Sequence, residues 1–132
     1  MTDLHDHGED HEPQRHHGTD VMRSLAPIAA ELRREIPDVL EGYKALAAAA
    51  MAPGALDAKT KELIALALAV SKQCDGCIAA HARGAAKKGA SRAEVAEAMG
   101  VAILMNGGPG TVYGPRALAA YDDFAAAKPP AS

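Results

Sequence analysis

From residue 20 onward, apolar side chains recur at three- and four-residue spacing, and no stretch shows a convincing alternation of period two. Ile28, Leu32 and Ile36 share one side of a first helix, in which Pro27 suits a first-turn position. Pro37 stops that helix and opens a second, where Asp38 and Glu41 favour the dipole and Val39, Leu40, Tyr43 and Leu46 mark an apolar side. Pro53-Gly54 is a turn, and Asp57 is the predicted N-cap of a third helix reaching about Ser71. Leu63, Ile64, Leu66, Ala67 and Val70 give that helix a broad face expected to be buried.

An interruption at Gln73 to Gly76 precedes a fourth helix from Cys77 to about Lys88, with Gly89 as its C′ residue. Ser91-Arg92-Ala93-Glu94 is a capping box that starts a fifth helix, with Val95, Met99, Ala102, Ile103 and Met105 facing inward. Asn106 to Gly110 ends it. Gly107-Gly108-Pro109-Gly110 follows a helix and has no G-x-x-x-x-G-K-[ST] pattern, so it reads as a helix stop and not a phosphate cradle. A last helix is predicted over Tyr113 to Ala127. The pattern is all-α with about six helices and no usable internal repeat.

Composition changes this picture in two ways. Hydrophobic residues make up 48% of the 132 residues, but aromatics are only 3% and Trp is missing, so the apolar content leans on alanine. Alanine lets helices approach closely yet buries little area, at roughly 25 cal/mol per Å², so further burial through subunit association is expected. Tyr43, Tyr113, Tyr121 and Phe124 are the expected core or interface anchors. Residues 1–19 differ from the rest. His5, His7, His11, His16 and His17 stand there among Asp3, Asp6, Glu9, Asp10 and Glu12, with no apolar periodicity. Such a stretch is expected to be a disordered, solubilising tail with some affinity for metals, preceding one domain over residues 20–128.

The net charge of −3 is mild and carries no basic stripe of the kind a nucleic acid requires. No apolar run approaches the ~20 residues of a membrane helix, and the first residues lack the basic start and apolar centre of a signal peptide. The expected location is therefore the cytoplasm, with no nucleic-acid and no membrane partner. In that compartment a close cysteine pair is more often catalytic or metal-binding than a structural staple.

The chemistry-bearing stretch is Cys74-Asp75-Gly76-Cys77-Ile78-Ala79-Ala80-His81. Offsets of i, i+3 and i+7 place Cys74, Cys77 and His81 within roughly 60° of helical arc. Cys77 and His81 are an i, i+4 pair, and the C-x-x-C spacing allows an intramolecular disulfide. A start of the helix at Cys74 would favour thiolate through unpaired N–H groups, and the imidazole can take the thiol proton. Those are the ingredients of an activated nucleophile with a resolving partner. Two other readings compete. The cysteines and His81 are three zinc ligands where structural zinc almost always takes four, or the cysteines are inert core residues. A thioredoxin-type scaffold would need strands that the pattern lacks. Glu62, in an otherwise apolar helix twelve positions before Cys74, reads as a solvated first-turn carboxylate or as a group that reaches across to orient His81.

Glu62 followed by Cys74-x-x-Cys77-x-x-x-His81 resembles the signature of the alkylhydroperoxidase AhpD-like, carboxymuconolactone decarboxylase family. The flanks Leu63 to Ala67 and Ala80 to Ala85 agree, as do Gly89 to Glu97 and Val101 to Pro109, and the resemblance spans about Ile36 to Phe124. It implies an all-helical subunit in homotrimers or homohexamers. Cys77 would be the peroxide-attacking thiol, Cys74 the resolving thiol, His81 the base acting through water, and Glu62 a member of the proton relay. No cofactor is implied. The reductant would be a dithiol such as a lipoyl or thioredoxin-like protein, and the activity that of an antioxidant thiol peroxidase or disulfide oxidoreductase. Alkylhydroperoxidases of this type often carry a second His between the cysteines, where this chain has Asp75-Gly76, which adds weight to general disulfide reduction. The lactone decarboxylases do not depend on the dithiol, so Cys74 and Cys77 argue against that reaction. The alternatives are a metal-binding module built on the His-rich tail, a non-redox member of the family, and a helical interaction scaffold with incidental cysteines.

Overall fold

A computed structural model of the chain describes residues 16–127. Among the described residues there are six helices and no strand: α1 (Thr19–Glu35), α2 (Pro37–Met51), α3 (Ala58–Ser71), α4 (Asp75–Lys87), α5 (Arg92–Asn106) and α6 (Gly108–Ala127). The tail character expected of residues 1–15 lies outside the described residues. His16 to Gly18 form a turn, and Thr19 already opens α1.

Helices α3 to α6 form the bundle that encloses the core, α1 lies on α4, and α2 meets α1 and α3 only lightly. Most buried core residues are alanines, set around Leu66, Val70, Ile78, Val95 and Met99. Small residues bring the axes together: a Cβ added to Gly110 would stand 2.8 Å from the Ile103 Cα, so α6 starts in direct backbone contact with α5. Tyr121 is buried, its hydroxyl donating to the Ala90 carbonyl at 2.6 Å, and Tyr113 and Phe124 pack on the core edge.

The local signals read from sequence act as caps. The Asp57 carboxylate accepts from the Thr60 N–H at 2.7 Å, and Ser91 and Glu94 close a reciprocal capping box. Hydrogen bonding to Thr60, from its side chain and then its backbone N–H, holds the Asp57 carboxyl below its ordinary range. The Ser91 backbone N–H, then Lys59, do the same for Glu94. Lys59 reaches Glu94 at 2.9 Å, tying the start of α3 to the start of α5. Lys61 donates to the Ala50 and Ala52 carbonyls and so closes the end of α2.

Several expectations are corrected. Pro27 lies inside α1 and not in its first turn. The helix extends upstream because Thr19 is held by α6, its N–H and hydroxyl donating to Asp123 at 2.8 and 2.7 Å. Burial pushes the Asp123 carboxyl up, but the Thr19 bonds and then His16 outweigh it and hold the group below its usual value. Helix α4 begins at Asp75, ahead of Cys77. Only Gly107, at φ +65°, is the helix stop, while Gly108 to Gly110 already belong to α6, five residues ahead of Tyr113. Ile64 and Met105 face outward, Met105 being 77% exposed. Neither α1 nor α2 has a buried residue: Ile28, Leu32, Val39, Tyr43 and Leu46 are all exposed, so Tyr43 is no anchor of the subunit's own core.

Candidate functional site

The connection from α3 to α4 builds the site. The Gln73 N–H donates to the Val70 carbonyl and the Cys74 N–H to the Ala69 carbonyl, the two bonds of a Schellman ending. That ending needs a left-handed residue at its centre, and Gln73 supplies it at φ +52° where glycine is usual. Only Lys72 to Cys74 separate the two helices, so α4 turns back immediately and its first residues stand beside the last turn of α3.

Cys74 is the N-cap of α4, and its Sγ accepts from the Cys77 N–H at 3.2 Å. The two cysteines are joined in a disulfide with Cα atoms 5.2 Å apart, inside the range such bridges require. Cys74 is half-buried and Cys77 exposed. One turn further along α4, the His81 Nδ1 lies 2.9 Å from the Glu62 Oε2 of α3. With a carboxylate as partner, Nδ1 carries the hydrogen and donates, and Nε2 is the nitrogen left for a thiol or water. The Glu62 side chain is 14% exposed and that of His81 32%, so the carboxylate sits behind the ring and the ring faces outward. Ala65, Leu68, Ala69, Lys72, Cys77 and His81 line one shallow cleft of about 260 Å³. Its walls are apolar apart from Lys72 and the two reactive groups.

All four residues singled out from sequence, Cys74, Cys77, His81 and Glu62, are thus brought together around one elbow. Of the two readings of Glu62, the carboxylate that reaches across is the one observed. Sequence reasoning missed two contributors. Gly84 is one: a Cβ there would run into the Glu62 carboxyl group, so glycine leaves the space that lets Glu62 reach His81. A glycine inside a helical run was its only signal. Lys72, at the cleft rim, had none beyond its charge. Among the described residues no group of three or more His, Cys, Asp or Glu side chains is arranged to hold a metal ion.

The model of the carboxymuconolactone decarboxylase family matches residues 37–123. The chain belongs to that family. The match runs from the start of α2 into α6, as far as residue 123, and takes in every residue of the elbow. A carboxymuconolactone decarboxylase family protein of Legionella pneumophila, solved as the apo form, superposes with a TM-score of 0.78 at 44% identity, covering 81% of this chain and 96% of that one. Similar sequences include a Haemophilus influenzae protein, 49% identical over 107 residues, covering 81% of this chain and 91% of its own length. A Cupriavidus necator protein is 42% identical over 107 residues, covering 79% and 95%. A Paracoccus denitrificans protein described as protein 4 in the cox locus is 37% identical over 103 residues, covering 78% and 93%. The carboxymuconolactone decarboxylase fold of this chain is all-helical, and among its described residues no helix is long and apolar enough to cross a membrane.

Proposed function

We propose that the protein is a dithiol enzyme that reduces peroxides or disulfides through the Cys74–Cys77 pair. The observation that carries this reading is His81, bonded to Glu62, on the same cleft as the exposed Cys77, while Cys77 is bonded to Cys74. In the reduced protein His81, oriented by Glu62, takes the Cys77 proton directly or through a water. The Cys77 thiolate attacks the peroxide oxygen, the O–O bond breaks, and the alcohol leaves with a proton. Cys77 is left as a sulfenic acid. Cys74 then attacks that sulfur, its proton leaves with the hydroxyl as water, and the disulfide closes. An external dithiol, of lipoyl or thioredoxin-like chemistry, gives two electrons and two protons to return both thiols and becomes a disulfide itself.

Burial supports this division of labour, since Cys77, which meets substrate, is the exposed residue and Cys74, the resolving one, is half-buried at the helix cap. With Asp75-Gly76 between the cysteines, exchange with a disulfide substrate uses the same groups, with no peroxide step. The exposed apolar side chains of α1 and α2 favour association with further copies, in the homotrimer or homohexamer that the family resemblance implies, and the reducing chemistry suits the cytoplasm.

Turnover of several peroxides and of a disulfide substrate with a dihydrolipoyl donor, in wild type and Cys77→Ser, tests the proposal. Wild type should turn over at least one of them, and Cys77→Ser none. Equal rates in the two proteins would sink it.

A further inference from the structure

The cleft that holds Cys77 and His81 has a second wall, which the chemistry above leaves unused. Ala65, Leu68, Ala69 and Lys72 line it at offsets of i, i+3, i+4 and i+7, so they form one stripe along α3, with Lys72 as the C-cap of that helix. Leu68 is 58% exposed, an uncovered apolar side chain beside the reactive pair. Lys72 closes the stripe at the elbow. Its backbone is fixed, the N–H donating to the Leu68 carbonyl at 2.9 Å, while its side chain is exposed.

The two lysines at the start of α3 have partners. Lys59 is paired with Glu94, and Lys61 donates to the Ala50 and Ala52 carbonyls. Among the described residues the Lys72 ammonium forms no ion pair. The helix dipole accounts for a lysine at a helix end. It does not account for one that ends an apolar stripe and shares a cleft with a cysteine and a histidine. No acidic side chain lines that cleft, so its one permanent charge among the described residues is positive. At about 260 Å³ it is smaller than the ~300–1,000 Å³ of pockets for drug-sized ligands, and suits a single ring or a short chain.

We infer that the cleft selects small substrates that carry a carboxylate on an apolar body. The body lies on Leu68 and its alanine neighbours, the carboxylate pairs with Lys72, and the O–O or S–S bond is left at Cys77. Lys72 is thus a specificity-determining residue, and the inference rests on the dithiol reading of the site.

The test is the stoichiometric reaction of the reduced, full chain with two aromatic disulfides. One is the disulfide of thionitrobenzoate, with a carboxylate on each ring. The other is the disulfide of mercaptopyridine, uncharged near neutral pH. With either, the Cys77 thiolate attacks one sulfur, the S–S bond breaks, and an absorbing thiol leaves. Cys74 then displaces the second thiol and closes the Cys74–Cys77 disulfide, so two electrons pass from the chain to the probe. The readout is the ratio of the two rates, carboxylated over neutral, which cancels the intrinsic reactivity of each probe between variants. Lys72→Gln, at an exposed position that the fold tolerates, should lower the ratio about 3-fold, within the worth of one exposed ion pair. Lys72→Arg, which keeps the charge, should keep the ratio. Lys44→Gln, which removes a charge from a different cavity, should leave it as in wild type. An unchanged ratio in Lys72→Gln would overturn the inference, including where both rates fall together, which would make Lys72 a group that acts on the thiol. So would an equal loss of ratio in Lys72→Arg or in Lys44→Gln. In each of these cases the reduced pair still reacts and the dithiol reading stands. A wild type inert to both disulfides would overturn the two together.

Discussion

Glu62 on α3 and His81 on α4 are nineteen residues apart in sequence and 2.9 Å apart in space, joined carboxylate to Nδ1 across the elbow between two helices. The bond holds Nδ1 of a ring that lines the same cleft as Cys77, and leaves Nε2 as the other nitrogen. It also places a negative charge where an imidazolium would form. In the proposed cycle Glu62 is therefore a positioning residue, which touches His81 and not the substrate.

Glu62→Gln keeps the shape and an acceptor oxygen but removes the charge. Peroxide or disulfide turnover should fall by about 10²-fold, the low end of what general acid–base groups contribute. An unchanged kcat/KM would show that the pair has no part in the reaction.

Gly84→Ala should act through Glu62. The added methyl occupies the carboxylate's place, so turnover should drop toward that of Glu62→Ala. Overpacking of this kind costs about 1–3 kcal/mol of stability. The decisive measurement is a double-mutant cycle. In a Glu62→Ala background the methyl has room, and Gly84→Ala should then cost little in either stability or rate. The same cost in both backgrounds would mean that Gly84 serves packing unrelated to Glu62.

The acid limb of stability should rest in part on two caps. The Asp57 and Glu94 carboxyls are both held below their ordinary values in the folded chain, by Thr60 and by the Ser91 N–H group. Between those lowered values and the ordinary range near ~4, the unfolded chain binds more protons, so stability rises with pH there. The stabilisation is complete above about pH 5 and is lost as pH falls through the folded values. Melting temperatures from about pH 6 down to pH 2.5 should decline less steeply in Asp57→Asn/Glu94→Gln than in wild type. Parallel curves for the two proteins would refute the assignment.

The elements that sequence predicted well are those whose signals lie within one turn of helix. Asp57, the Ser91/Glu94 box and Gly89 each satisfy backbone groups three to five residues away, and each is found in place. The misplaced boundaries have long-range causes. Thr19 begins a helix because Asp123 on α6 receives it, and in the first turn of α6 Gly110 passes so close to α5 that only a glycine fits. The interruption read at Gln73 to Gly76 is found at Lys72 to Cys74, and the left-handed backbone of Gln73 comes from the Schellman ending around it.

What the sequence determined by itself is the helical class and the single-faced register of Cys74, Cys77 and His81, because a helix repeats every 3.6 residues whatever surrounds it. What only the tertiary structure decided is that Glu62 meets His81, and that the apolar sides of α1 and α2 stay uncovered in the subunit. Both depend on how α3 turns into α4 and on which helices the core accepts. Those contacts are between residues far apart in the chain, and no local period records them.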